Sequence, residues 1–168
     1  MNKQTLKNSI IKEMKIIRRL ATKIPANKHD FRPAESVRSI TELLQYLSTC
    51  GTGMLSFWHK KDDRDLKTFF MELNAGAKNV TPANFGTVME SQIELVNKLF
   101  DQITEEDLLN KEVTYPWGEK AMLGEAIIET SIKWLTGYKM QLFMKLKQTS
   151  DEKLTTPDLW RKTELEAI

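Results

Sequence analysis

Chemistry in this chain has few places to start. Histidine occurs twice, at His29 and His59, and cysteine once, at Cys50. Neither histidine has a second histidine or a cysteine at ligand spacing, which argues against a zinc or nickel site built on imidazoles. Both suit surface or hydrogen-bonded roles better than catalysis. Cys50 falls on the apolar side of its segment, where burial raises a thiol pKa and leaves it inert rather than nucleophilic. A glycine-rich phosphate loop, a Gly-x-Ser-x-Gly elbow and a Cys-x-x-Cys pair are all missing. One group of side chains is better placed. Trp134 and Tyr138 are four residues apart, and Ser131 and Gln141 fall on the same side of a helix. Ile127 and Leu142 turn that side inward. Two amphipathic aromatics and an amide facing inward are either core with their polar tips hydrogen-bonded, or the wall of a small cavity between helices. Spacing alone favours core.

Helices must carry these residues, because the apolar period is helical nearly everywhere. Leu6, Ile10, Met14, Ile17, Leu20, Ala21 and Ile24 step by three and four, with Lys12, Lys15, Arg19 and Lys23 opposite. That predicts a helix over 3–24, stopped at Pro25. A second is predicted over 37–52, with Ser39 and Glu42 as a capping box and Ser36 as an alternative start. Ile40, Leu43, Leu47 and Cys50 form its inner face, and Gly51 and Gly53 loosen its end. The charged run 60–65 leads into a short helix around Phe69, Phe70 and Leu73. Thr81-Pro82 starts a third long helix over 82–102. Residues 104–120 could hold a short strand or hairpin, and are expected to be an ordered loop. The longest helix covers 121–147, with Leu123, Ile127, Leu135, Leu142 and Leu146 buried. Thr156-Pro157-Asp158 announces a short C-terminal helix around Leu159-Trp160. Four long amphipathic helices pack most naturally as an all-α, antiparallel four-helix bundle, with short extra helices in the connections and at the C-terminus.

Composition sets the bounds. With 168 residues, 40% apolar and 29% charged, the chain is long enough for one domain with a real core, taken to span 1–168. Apolar runs of only a few residues leave no membrane span. Charges at Lys7, Lys12, Glu13 and Lys15 break any signal-peptide core, and a lone cysteine fits a reducing cytoplasm. Net charge is +2, but residues 1–30 carry eight basic and two acidic side chains. Without interleaved aromatics this basic stripe reads as a solvated helix face, not a nucleic-acid or lipid surface.

Two motifs carry a resemblance. Ser39-Ile40-Thr41-Glu42-Leu43-Leu44-Gln45-Tyr46-Leu47, after Phe31-Arg32-Pro33, resembles the helix-two motif of the DinB-like superfamily. Trp134-Leu135-Thr136-Gly137-Tyr138-Lys139-Met140-Gln141-Leu142 resembles its last-helix motif, His-x-x-x-His-Arg-Gly-Gln-Leu. The resemblance spans most of the chain in helix order. It implies a helical bundle and a class that includes thiol-dependent transferases and metal-dependent hydrolases, many with a divalent metal on three histidines. The matching positions here are Tyr46, Trp134 and Tyr138, none of them histidine, while Gln141 keeps the glutamine and Lys139 replaces arginine. A neutral tyrosine is a poor ligand and tryptophan offers only an N–H donor.

The resemblance tips the inward face toward a cavity. The leading expectation is a bundle with no metal, no cofactor and no catalytic residue at that face, and with a ligand pocket of Tyr46, Trp134, Tyr138 and Gln141 that takes a small apolar or aromatic molecule. One alternative is a hydrolase or thiol transferase whose ligands have moved to His59, Glu42, Glu125 and Glu129. Another is a structural protein whose business is homodimer formation. No nucleic-acid or membrane partner is expected.

Overall fold

Each predicted long helix forms, and its ends are set by identifiable local chemistry. The computed structural model describes residues 2–59 and 65–162; most of the predicted charged run, 60–64, lies outside them. α1 (Lys3–Ala21) is capped by the Asn2 side chain, which accepts from the Thr5 N–H, and it buries Leu6, Ile10, Met14, Ile17 and Leu20. It ends three residues before Ile24. The N–H groups of Thr22, Lys23 and Ile24 each donate to the carbonyl three residues back, which tightens the chain ahead of Pro25.

α2 (Ile40–Cys50) starts behind the predicted capping box: the Glu42 N–H donates to Ser39 Oγ at 3.1 Å, and the Ser39 N–H donates to Glu42 Oε2 at 2.8 Å. The chain breaks at Gly51 and resumes as α3 (Gly53–His59). A Cβ on Gly51 would sit 2.7 Å from Met14 Cε and 2.9 Å from a Leu135 methyl, so any side chain here would have to displace the ends of Met14 and Leu135. α4 (Leu66–Ala77) is capped by Asp65. α5 (Phe85–Gln102) begins later than Thr81-Pro82, because the Asn84 side chain accepts from the Thr81 N–H and closes a turn first.

The expected loop over 104–120 is a correction. It holds α6 (Glu105–Asn110), closed by a Thr104–Asp107 capping box, and a hairpin of β1 (Glu112–Thr114) with β2 (Lys120–Met122), Val113 opposite Ala121. Three-residue strands are too short for an alternating pattern to register. Gly118, at φ +96°, supplies the left-handed turn. The last long element is α7 (Leu123–Ile127), a π-helical turn at Ile128–Ile132 and α8 (Lys133–Thr149); α9 (Thr156–Trp160) follows, capped by Thr155 rather than Thr156.

Helix directions follow from contacts along their lengths. The start of α1 meets the end of α5, through Lys3 Nζ and the Ile103 carbonyl at 2.8 Å, and Arg18 near its end pairs with Glu90 near the start of α5. α2 and α8 are likewise antiparallel: Lys145 reaches the Arg38 carbonyl at 2.7 Å, and Tyr46 packs on Tyr138. α5 runs in the same sense as α2, with Gln45 bonded to the Val80 carbonyl and Thr52 to Gln92. The crossover between them is the segment that carries α3 and α4. One contiguous apolar core fills the bundle. No described helix is long and apolar enough to cross a membrane.

Charged side chains enter the core as well, and one of them departs from the solvated stripe that the sequence predicts for residues 1–30. Arg19 is buried, pairing with Asp158 of α9 and donating to the carbonyls of Asp158 and Arg161. Lys139 is fully buried, its Nζ 2.7 Å from Glu13 Oε2 and 4.1 Å from the centre of the Trp160 ring. Burial lowers the Lys139 pKa, and Glu13 restores part of the shift.

Candidate functional site

Tyr46 projects from the middle of α2 because it sits off the Leu43–Leu47 face that enters the core, and both Tyr46 and Tyr138 are left half-buried. The rings meet with centroids 4.5 Å apart and planes tilted by 55°. One turn earlier on α8, half-buried Trp134 joins Tyr46 in lining a cavity of about 180 Å³. Cys50, one turn beyond Tyr46, and Thr49 continue the α2 wall; Phe70 and Asn74 of α4 close one side, and Pro116 of the hairpin turn closes another. The hairpin is held over the cavity by Trp58, whose indole N–H donates to the Thr114 carbonyl at 3.0 Å.

The predicted residues divide. Tyr46 and Trp134 line the same cavity, and Tyr138 backs Tyr46 from the α8 side. Gln141 does not join them. It is exposed in a separate groove beside Pro33 and Val37, because one turn past Tyr138 the helix faces that loop and not α2. Ser131 is buried in the π-helical turn, away from the cavity lining, and its hydroxyl has no hydrogen-bond partner among the described residues.

Sequence reasoning left out Cys50 as a lining residue, although its spacing of four from Tyr46 put both on one face. It also left out Asn74, Phe70 and Arg38. For Arg38 the signal was its place beside the capping serine of the helix that carries Tyr46. The Arg38 guanidinium lies 4.4 Å over the Tyr46 ring and 5.6 Å from the Tyr138 ring.

Electrostatics keep the cavity wall neutral. Burial, then Cys50 and Tyr138, push the Tyr46 hydroxyl well above the ordinary tyrosine range, while Arg38 pulls it partly back. Burial raises the Cys50 thiol in the same way, again partly offset by Arg38. Both groups are protonated at neutral pH, so neither is a nucleophile or an anionic ligand there. The Thr49 hydroxyl is already committed to the Tyr46 carbonyl at 3.1 Å.

The donors proposed for a moved metal site do not gather as one ligand set. Glu42 pairs with Arg32 at 2.7 Å, His59 bonds Gln102, and Glu129 pairs with Lys133 at 2.5 Å. Glu125 lies beside Glu129 in a groove with Leu6 and Leu109. No cluster of three histidine, cysteine or acidic residues at metal-binding range occurs among the described residues.

No protein-family model matches this sequence, and no curated protein does. Solved structures are more informative. The chain superposes on the crystal structure of YjoA, a DinB-like protein from Bacillus subtilis, with a TM-score of 0.65 over 90% of this chain and 96% of that one, at 17% identity. At that identity the likeness speaks for architecture alone, and the architecture is clear: this chain folds as a DinB-like helical bundle.

Proposed function

We propose that the chain binds a small, largely apolar or aromatic molecule in the cavity between α2, α4 and α8, and that it does so without a metal. The observation that carries the reading is the convergence of Tyr46 and Trp134, from two different long helices, on one partly open space of about 180 Å³. A cavity of ~150 Å³ lined by apolar side chains is enough to take up benzene, so this volume suits a single ring or a short acyl chain. Lining by aromatic, thioether and thiol groups, with a single amide from Asn74 at the rim, is the composition of a small-molecule site.

The donor chemistry argues against a metal at the same place. Where the resemblance calls for three imidazoles, Trp134 has only an N–H to donate, and burial holds the Tyr46 hydroxyl protonated. No reaction step is therefore assigned through a metal.

The test is a titration with toluene and with phenol, followed by amide and indole NMR shifts. Saturable shifts at Cys50, Met54 and the Trp134 indole are expected. Shifts that are absent, or scattered over the surface at concentrations near the ligands' solubility, would overturn the reading.

A further inference from the structure

We propose that the ligand of this cavity is a small carboxylate, an aromatic or short-chain acid, whose ring or chain enters the cavity while its carboxylate is bound at the mouth by Arg38. This rests on the cavity reading above and adds the chemical class.

The cavity does not stand alone. Tyr46 and Asn74 also line a larger, open groove of about 510 Å³, so the two spaces are neighbours that share these residues. The groove is basic. Arg32, Arg38 and Lys78 line it against a single acid, Glu42. The acid is already taken, since Glu42 pairs with Arg32 at 2.7 Å and bonds the Ser39 N–H as part of the α2 cap. Arg38 and Lys78 make no ion pair among the described residues, which leaves the groove with uncompensated positive charge beside an apolar opening.

Arg38 is the better placed of the two. Its guanidinium carbon lies 4.4 Å over the ring of Tyr46, the residue shared by cavity and groove, and 5.6 Å from the Tyr138 ring. A guanidinium carries five N–H donors, and with none of them in an ion pair among the described residues it can grip a carboxylate with two parallel hydrogen bonds. Its backbone is pinned as well, because Lys145 Nζ donates to the Arg38 carbonyl at 2.7 Å and Ser39 begins the helix cap. The fixed backbone and the Tyr46 ring beneath the guanidinium reduce what must be ordered on binding. An apolar body with one anionic end matches this sequence of surfaces; a neutral apolar molecule would leave the cation unused.

Three probes of similar shape separate this claim from the one beneath it: phenylacetate, its neutral isostere phenylacetamide, and toluene, each titrated by NMR at low salt. Phenylacetate should bind roughly tenfold more tightly than phenylacetamide, as expected for a charge-assisted pair. Arg38→Met, at an exposed position, should remove that preference and bring phenylacetate and phenylacetamide to within about twofold of each other, whatever it does to toluene binding. Equal binding of phenylacetate and phenylacetamide to the unaltered protein overturns the carboxylate assignment while the cavity reading survives. Retention of the preference in Arg38→Met overturns the role of Arg38. If none of the three probes shifts the lining residues, the cavity reading itself fails and this inference with it.

Discussion

Replacing Lys139 with methionine should be far more damaging than replacing it together with Glu13. The ammonium is fully buried between α1 and α8, Glu13 Oε2 lies 2.7 Å away, and neither atom makes a further hydrogen bond among the described residues. Lys139→Met alone strands a carboxylate whose side chain is 11% exposed. Breaking a buried pair from one side costs about 3–5 kcal/mol, and the residual exposure of Glu13 places this case near the lower end. For a chain of this length a loss of ~3 kcal/mol lowers Tm by roughly 6–12 °C. Glu13→Leu combined with Lys139→Met replaces the pair by apolar groups of similar size and should return to within about 1 kcal/mol of the parent. Urea unfolding of the four proteins, followed by circular dichroism, completes the cycle and should give a coupling of at least ~2 kcal/mol. Additive losses would refute the argument, because they would mean the two charges do not depend on each other. A pH series adds a sign. Burial lowers the Lys139 pKa below the 10.5 of an exposed lysine, so between those values the unfolded chain holds more protons. The lysine's contribution to stability therefore rises with pH in that window, and Lys139→Met should lack the rise.

Trp134→Ala should cost about 1–3 kcal/mol in urea unfolding, less than the ~3–5 of an enclosed tryptophan, because the half-buried ring borders a cavity; a loss above 4 would make it core. Glu42→Gln should flatten the acid limb of the stability curve. Bonding to Arg32 and then to the Ser39 N–H holds this carboxylate below its ordinary 4.5, so its contribution is present above that pH and fades as pH falls through the lowered value. An unchanged acid limb would count against that role. Histidine at 46, 134 and 138 together should create a divalent-metal response, read as a Tm increase with added zinc, since Tyr46 adjoins Tyr138 and shares a cavity with Trp134. A folded triple variant with no such response would mean that these positions do not form one ligand set.

The bundle was legible because its signals are local. Leu6, Ile10, Met14 and Ile17 declare α1 by spacing alone, and Ser39 with Glu42 declares the start of α2. What stayed hidden depends on partners far along the chain. Arg19 reads as a solvated charge until Asp158 arrives beside it, and nothing in the spacing of Lys139 announces that Glu13 and Trp160 enclose it. Half of the candidate site was legible for the same reason: Trp134 and Tyr138 share a helix, and Tyr46 followed from the motif. Pro116, Phe70 and Asn74 come from the hairpin and the crossover, whose placement no periodicity encodes. Gln141 was misplaced because its helix angle is right but its neighbour at that height is a loop.

The enclosure of α1 also has a bearing on how the chain comes to be made. Arg19 finds Asp158 across 139 residues of sequence, and Glu13 finds Lys139 across nearly as many. At the usual ~5–20 residues per second of synthesis, α1 would leave the ribosome roughly 7–28 s before the helix that covers Arg19 exists. For the first part of that interval, until α5 emerges to pack along it, Leu6, Ile10, Met14, Ile17 and Leu20 form an apolar stripe without its main partner, and such a stripe is what chaperones hold and aggregates recruit. The eight basic side chains among the first 30 residues would then keep the nascent segment soluble during its wait, a role that ends when the last helix closes over it.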